Sequence, residues 1–359
     1  MPVLEADELV ARLRRDVERS VLRTRNGLRY LAGVGKPVTS ASPRDVVWAA
    51  EKVRLYRYRS EERRWDAPLL FVHSLAGKPY VFDLAPGKSF IETMLQRGHD
   101  VYLLDWGIPD ELEAANTLET YVDDYIPGAV REVLRASGAD DVSVFGYCFG
   151  GIMSLLYAAG HTDDPLRSLS VMATPIDFTQ MGSLGMALHE GRVDVADLLD
   201  STGNIPPDVL VNGMRMTKPV SNVTEYVDLW QHLWNDDYLD AYRTMIGWAR
   251  DQIPFPGAAF VQMVDTVIRP NALVTGRVPL HGRTVDFADI RVPFHNIVGE
   301  ADFVVPPAAT TPLTRVVGDG NGTETMLRGG HAGLIVGRTA QRHNIPAMAS
   351  WIESHLEAR

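Results

Sequence analysis

The stretch VSVFGYCFGGIMSLLYAAG, residues 142–160, decides the fold of this chain. VSVFG is apolar or small throughout and predicts a short buried strand, whereas GIMSLLYAAG has the apolar spacing of a helix. Cys148, the only cysteine of the chain, stands between them in the pattern Gly-x-Cys-x-Gly. Flanking glycines permit a sharp turn in which larger side chains would clash. The stretch therefore predicts a nucleophilic thiol on a strained turn, although a small buried cysteine is the structural alternative.

Strands and helices alternate along most of the chain. Besides residues 142–146, the sequence predicts strands at residues 52–59, 68–74, 100–107, 168–175, 293–300 and 323–330. Helices are predicted at residues 6–33, 89–98, 121–138, 151–160 and 338–358. This alternation indicates an α/β fold, with a mostly parallel sheet and helices on both faces.

One long segment interrupts this alternation. Residues 178–290 are rich in Met, Trp, Asn, Asp and Pro, and we expect a largely helical lid or cap there. The predicted organisation is an N-terminal helical arm at 1–44, a first core part at 45–177, the lid at 178–290 and a second core part at 291–359. Five aromatic residues of this lid are candidates for keeping water out, unless they simply pack in a core: Trp230, Trp234, Tyr238, Tyr242 and Trp248.

Composition and charge limit the classes of partner. The net charge of −11 argues against nonspecific nucleic-acid binding. Residues 1–66 nevertheless hold 15 Lys and Arg against 10 Asp and Glu, so this arm either contacts an acidic partner or forms a solvated helix face. A single cysteine excludes an internal disulfide, and the start of the chain does not resemble a secretory signal, so we expect a cytoplasmic protein. We expect neither a metal nor a bound cofactor, because the spacing of His, Cys and Asp is not that of a metal site and no phosphate loop is present.

A cysteine nucleophile needs a base and an acid that orients the base. Asp302 directly follows a predicted strand in NIVGEADFVVPPAA, and His331 follows the last predicted strand in MLRGGHAGLIVG. The order Cys148, Asp302, His331 is that of α/β hydrolases, so the sequence predicts an α/β-hydrolase fold with these residues as the catalytic triad. The alternatives are a helix N-cap for Asp302 and an ordinary loop histidine for His331.

Two backbone amides are candidates for the oxyanion hole. The amide of Phe149 follows the nucleophile, and a second amide, at Leu75 or Ala76, belongs to the loop after an early core strand. We assign Ala76 as the second donor. His73 lies at the end of the same predicted strand, and both a site role and a structural role remain open for it.

The segment Gly146-Tyr147-Cys148-Phe149-Gly150-Gly151 resembles the cysteine lipase-box of polyhydroxyalkanoate synthases. Further segments of that family have counterparts here, in order: GHDVYLLDWGIPD, TPIDF, GNIPPDVL, GEADFVVPPAA and GGHAGLIVG. The resemblance covers roughly residues 45–357 of the chain. The short chain looks like the two-component class III type.

The resemblance implies an acyltransferase that polymerises a 3-hydroxyacyl-CoA, short-chain such as 3-hydroxybutyryl-CoA, through an acyl-enzyme on Cys148. Coenzyme A would be part of the substrate, His331 the base and Asp302 the third member. It also implies a noncatalytic partner subunit and a place at the surface of polyester granules; we also expect a homodimer. In close relatives a histidine often follows the aspartate, whereas this chain has Phe303. A dienelactone hydrolase-like enzyme, an acyl-CoA thioesterase and an inactive scaffold remain alternatives.

Overall fold

A computed structural model describes residues 6–31, 42–60, 62–216, 229–320 and 322–359 of the chain. Ten strands lie in these ranges: β1 Arg44–Ala50, β2 Val53–Tyr58, β3 Leu69–Val72, β4 Val101–Asp105, β5 Val142–Tyr147, β6 Leu166–Met172, β7 Arg277–Leu280, β8 Arg283–Asp286, β9 Phe294–Gly299 and β10 Thr323–Leu327. The α-helices with bounds in these ranges are α1 Ala6–Leu31, α2 Phe90–Gln96, α3 Ile126–Ser137, α4 Phe149–Gly160, α5 Gly182–His189, α6 Pro207–Met216, α7 Asp236–Arg250, α8 Gly257–Gln262, α9 Pro307–Thr310, α10 Leu313–Val316 and α11 Ile345–Glu353.

Eight of the strands form one sheet in the order β1-β2-β4-β3-β5-β6-β9-β10. The pairs from β4 to β10 are parallel, whereas β1 pairs with β2 and β2 with β4 in antiparallel orientation. The prediction of a mostly parallel sheet is therefore confirmed. Three strands escaped prediction, because β1 lacks a regular alternation and β7 and β8 are only four residues long. The β7–β8 hairpin turns at its two loop residues, His281 and Gly282, which both have positive φ.

Alternation along β3 divides the core between the two faces of the sheet. Leu70 and Val72 pack with apolar residues of α3 and α4, whereas Leu69 and Phe71 pack with α2 and α11 on the opposite face. The ring of Phe71 lies 4.9 to 5.1 Å from three other phenylalanine rings, those of Phe82, Phe90 and Phe145. Complete burial of each such side chain contributes about 1.5–3 kcal/mol. These contacts fix the strands whose carboxyl ends carry the site.

The segment between β6 and β9 contains helices α5 to α8 and the β7–β8 hairpin. Helix α1 is attached to this segment: Arg25 donates to Asp236 at 2.8 Å, and Asn26 donates to the carbonyl oxygen of Leu233 at 2.7 Å. The predicted domain boundaries stay predictions, and parts of the arm (1–5, 32–41) and of the lid (217–228) lie outside the described residues. No helix in the described ranges is both long and apolar enough to span a membrane.

The close packing of α4 generates a stability prediction. A Cβ atom on Gly151 would lie 1.9 Å from Thr174 Oγ1, so Gly151→Ala should lower the free energy of unfolding by about 3 kcal/mol. Gly247→Ala is the matched control, because Gly247 also lies within a helix but a Cβ there would meet no atom within 4 Å. That control should be neutral or slightly stabilising. Urea unfolding measures the stability of both variants. Equal unfolding midpoints for Gly151→Ala and Gly247→Ala would contradict the packing described for α4.

Candidate active site

Cys148 occupies the turn between β5 and α4. Its φ of 56° and ψ of −124° lie in a region that a side-chain-bearing residue rarely adopts, at a cost of about 1–3 kcal/mol. Its amide donates to the carbonyl oxygen of Met172 at 2.9 Å, which ties the turn to β6. The predicted strand–turn–helix arrangement is confirmed, and the thiol stands at the N-terminus of a buried helix, the positive end of the helix dipole.

The glycines around Cys148 are required by contacts in three directions. A Cβ on Gly146 would lie 2.6 Å from the Cα of Gly151, and a Cβ on Gly150 would lie 2.2 Å from the carbonyl oxygen of Val72. Gly151 meets Thr174 in the same way. The Gly-x-Cys-x-Gly-Gly pattern therefore reflects direct backbone contacts of α4 with β5, β3 and the end of β6.

Asp302 and His331 meet at the carboxyl edge of the sheet. Asp302 follows β9 and His331 follows β10, so both lie at the edge where β5 presents Cys148. His331 Nδ1 is 2.8 Å from Asp302 Oδ2, and the Asp302 side chain is fully buried. The other carboxylate oxygen accepts hydrogen bonds from the amides of Val304 and Val305 at 2.9 and 2.8 Å. Asp302 is not the N-cap of α9, because that position is Pro306.

His331 contacts Cys148 as well as Asp302, and this arrangement controls its charge. Burial disfavours the charged imidazolium, but the Asp302 carboxylate and the Cys148 sulfur outweigh it, and the pKa of His331 is raised well above its usual range. His331 can therefore hold the proton that the thiol loses. Tyr147 was not singled out from the sequence; its hydroxyl donates to the carbonyl oxygen of His331 at 3.1 Å and fixes the loop that carries the imidazole.

The two residues predicted to supply oxyanion donors, Phe149 and Ala76, both line the cavity that contains Cys148. Phe149 is the first residue of α4, so its amide has no acceptor within the helix. The amide of Ala76 donates to Ser74 Oγ at 3.3 Å. Ala76 lines the same cavity as Cys148. The assignment of both amides to the oxyanion hole stays a prediction.

A cavity of about 240 Å³ opens above Cys148 and His331. Most of its wall comes from the segment between β6 and β9 and is apolar: Phe178, Met181, Leu184, Leu188, Phe255 and Met263. None of its lining residues is Asp, Glu, Lys or Arg. The cavity therefore suits an uncharged, largely apolar group bound next to the sulfur.

Of the five lid aromatics singled out from the sequence, Trp248 is the one with a described side chain that lines this cavity. Its indole N–H donates to the carbonyl oxygen of Lys78 at 2.8 Å, and Asp251 binds Lys78 at 2.6 Å and the hydroxyl of Tyr80 at 3.0 Å. These bonds fasten the end of α7 to the loop after β3.

Where the structure describes the other lid aromatics named from the sequence, none of them lines this cavity. Trp230 is exposed, Trp234 lies under the guanidinium of Arg19, and Tyr242 packs in a small separate cluster. The Tyr238 side chain lies outside the described residues. Phe303, at the position after Asp302, is 54% exposed. Within the ranges that the structure describes, no cluster of His, Cys, Asp and Glu is placed to hold a metal ion.

Comparison with known folds agrees with this architecture. A family model described as the α/β-hydrolase fold matches residues 67–202. An esterase from Thermogutta terrifontis superimposes with a TM-score of 0.51 at 14% identity, covering 88% of this chain and 100% of that one. A monoacylglycerol lipase from Paleococcus ferrophilus gives 0.50 at 17% identity, covering 84% and 99%. At this identity both comparisons establish the fold alone.

Comparison with proteins of related sequence is more informative than comparison of folds. Two proteins named poly(3-hydroxyalkanoate) polymerase subunit PhaC match nearly end to end: that of Allochromatium vinosum is 36% identical, covering 88% of this chain and 89% of the relative, and that of Thiocystis violacea is 33% identical, covering 91% and 92%. The protein of the same name from Haloferax mediterranei is 34% identical over 88% of this chain. That match spans only 65% of the relative's length.

The influence of Asp302 on His331 generates a pH prediction. Asp302→Asn removes the charge that raises the pKa of His331, so burial should lower it and disfavour the imidazolium–thiolate pair. Alkylation of Cys148 by iodoacetamide should then slow about tenfold or more at pH 6–7, because only the thiolate reacts. The difference from the wild type should narrow towards pH 10, where thiols ionise without assistance.

Mass spectrometry of the single cysteine measures this rate. Asp163→Asn is the matched control, because Asp163 is an exposed carboxylate outside the site. If the ratio of the alkylation rates of wild type and Asp302→Asn were the same at all pH values, the electrostatic role of Asp302 would be contradicted.

Proposed function

Because this chain belongs to the poly(3-hydroxyalkanoate) polymerase family, whose members are acyltransferases, we propose that it polymerises a 3-hydroxyacyl-CoA on Cys148 with release of coenzyme A. The observation that carries this proposal is the chain of contacts from Asp302 through His331 to Cys148 at the floor of an apolar cavity. A nucleophile, its base and the acid that orients the base are the parts that covalent acyl transfer requires.

The proposed reaction has two acyl transfers. In the first, His331 takes the thiol proton, the sulfur of Cys148 attacks the thioester carbonyl, and the resulting oxyanion binds the amide of Phe149 and a second amide at Ala76. The carbon–sulfur bond to coenzyme A then breaks, and His331 returns the proton to the leaving thiolate. In the second, the 3-hydroxyl of another acyl unit attacks the Cys148 thioester and His331 accepts the hydroxyl proton. The bond between the acyl carbon and the Cys148 sulfur then breaks, and His331 returns the proton to that sulfur.

The cavity wall supports transfer to a hydroxyl rather than to water. An acyl-cysteine is hydrolysed wherever water has free access, so a polymerase must close its site. The wall is apolar, and Trp248 and Asp251 fasten α7 over the loop after β3. We propose that the segment between β6 and β9 acts as a lid that opens to admit substrate and closes for transfer.

The dimensions of the cavity support a short-chain substrate. A volume of about 240 Å³ is below the usual range for a drug-sized ligand, roughly 300–1,000 Å³. The acyl group is therefore proposed to be short, such as 3-hydroxybutyryl. The phosphates of coenzyme A are proposed to lie outside the cavity, because no Lys or Arg lines it.

Incubation with 3-hydroxybutyryl-CoA, with and without candidate partner subunits, tests this function. The wild type should release coenzyme A and form polymer together, and Cys148→Ala should do neither. Cys148→Ser should keep at most a trace, about 1% or less, because a serine alkoxide is harder to generate and its ester is less reactive.

Other outcomes would favour the competing enzymes. Release of coenzyme A without polymer indicates a thioesterase, and hydrolysis of a small lactone without that release indicates a dienelactone hydrolase-like enzyme. Undiminished release by Cys148→Ala would exclude this cysteine as the nucleophile, and a wild type inert towards every substrate would favour a scaffold.

We further propose that α1 binds a noncatalytic partner subunit, and that the enzyme works as a homodimer at the surface of polyester granules in the cytoplasm. One face of α1 contacts the body through Arg23 and Asn26. Val17, Val21 and Leu28 lie on the other side at spacings of four and seven residues, each more than 60% exposed. An exposed apolar stripe at this spacing is typical of a helix that packs against another helix.

Coexpression with candidate partner subunits tests the role of α1. The double variant Val17→Asp/Val21→Asp should lose most of the copurifying subunit, at least tenfold, because buried carboxylates oppose packing. Glu18→Gln is the matched control, because Glu18 lies beside the stripe and, within the described part of the chain, its ion pair is with Arg14 at 3.8 Å. Full retention of the subunit by the double variant would exclude α1 as its site, and a change from dimer to monomer would assign the stripe to the homodimer.

A further inference from the structure

His73 is buried beside the nucleophile, and the fold makes no use of its ring nitrogens. The side chain is 1% exposed, stacks on Tyr147 with ring centroids 5.8 Å apart, and meets Phe82 edge-on at 5.3 Å. Among the described residues, neither Nδ1 nor Nε2 has a hydrogen-bond partner. Each buried polar group without a partner costs about 1–3 kcal/mol, which an apolar side chain of similar size would avoid. The imidazole therefore has a role beyond packing.

A polar corner lies next to His73 Nε2. A Cβ on Gly77 would lie 3.0 Å from this nitrogen and 3.1 Å from Gln252 Oε1, so the absence of a side chain at Gly77 leaves both atoms facing the same space. Gln252 is held in place by a 2.7 Å bond from its Nε2 to the carbonyl oxygen of Trp248. A neutral imidazole offers one donor and one acceptor, and the amide oxygen is an acceptor. A hydroxyl group, which both donates and accepts, is the complement of such a corner.

The corner belongs to the cavity that contains the sulfur. His73, Gly77 and Gln252 line it together with Cys148 and His331, and the remaining wall is mostly apolar. A ligand that fits is therefore an uncharged chain with a hydroxyl close to its reacting carbon.

The charge state of His73 limits what it can do. Burial, together with the neighbouring His331, lowers the pKa of His73 to about 3. The ring is neutral at physiological pH and too weak a base to remove a proton from an alcohol. Hydrogen bonding to a bound group is the function left to it, and the proton transfers remain with His331.

We propose that His73 binds the 3-hydroxyl group of the acyl chain being loaded onto Cys148. This contact makes the cavity select 3-hydroxyacyl thioesters over acyl thioesters that lack the hydroxyl. An acyl chain without it would leave His73 Nε2 buried without a partner, which is a strong form of discrimination. The proposal rests on the proposed function, and it assigns substrate selection to a residue outside the triad.

The test compares two thioesters that differ only in this hydroxyl. The release of the first coenzyme A is measured with 3-hydroxybutyryl-CoA and butyryl-CoA, in the assay described above, for wild type, His73→Leu and His73→Gln. His73→Leu should lower kcat/KM for the hydroxylated thioester about tenfold or more and change that for butyryl-CoA less than about twofold. His73→Gln keeps a donor and an acceptor and should retain part of the preference.

His295→Leu is the matched control. His295 is also 1% exposed, stacks on Trp351 with centroids 4.5 Å apart and has an unpartnered Nδ1 among the described residues, but it does not line the cavity. This variant should keep the wild-type ratio between the two thioesters.

The outcomes separate the two proposals. If His73→Leu leaves the ratio of kcat/KM for the two thioesters unchanged, or lowers both values equally, the role of His73 is overturned while the polymerase function stands. A wild type that releases no coenzyme A from either thioester overturns the proposed function, and the role of His73 with it. Thermal unfolding accompanies each variant; His73→Leu should be at least as stable as the wild type, because it removes two unpartnered polar atoms.

Discussion

The close approach of α4 to the sheet is the constraint on which the site depends. The backbone at Gly150 lies against Val72 and His73, and that at Gly151 lies against Thr174, so the first turn of the helix has no room for side chains at these two positions. Cys148 takes its unusual φ because the chain must turn within one residue to reach this position. The same approach places the amide of Phe149 opposite the loop after β3. A helix displaced outward would thus lose the orientation of the sulfur and its geometry with that loop together.

The parallel sheet supplies the other two members of the predicted triad. Successive parallel strands end at one edge, so β9 and β10 bring Asp302 and His331 to β5 although they are distant in sequence. A buried carboxylate is tolerated only when it is hydrogen-bonded, and Asp302 divides its two oxygens between the amides of its own loop and His331. The loop bonds hold the acid in place, so that its charge acts on the imidazole from a fixed position.

The sequence predicted the parts of this site that leave a signal in a short segment. Gly146, Gly150 and Gly151 all lie within three residues of Cys148, and Asp302 and His331 each come shortly after a strand. Contacts between distant segments leave no such pattern. The bond of Tyr147 to the His331 carbonyl, the fastening of α7 by Asp251 and the selection of Trp248 among five aromatics depend on tertiary packing. Strands β1, β7 and β8 escaped prediction because they are short or irregular in polarity.

The loop after β3 connects recognition, chemistry and closure. It begins at His73, contains the amide of Ala76, and ends in Lys78 and Tyr80, which bind Asp251 at the end of α7. Movement of α7 away from the sheet would break these bonds and the bond from Trp248 to the Lys78 carbonyl, and would remove Gln252 from its place beside His73. The loop is therefore fully anchored only when the cavity is covered. The corner between His73 and Gln252 therefore exists only while α7 covers the cavity, so the shape of this corner and the exclusion of water from the sulfur depend on the same contacts.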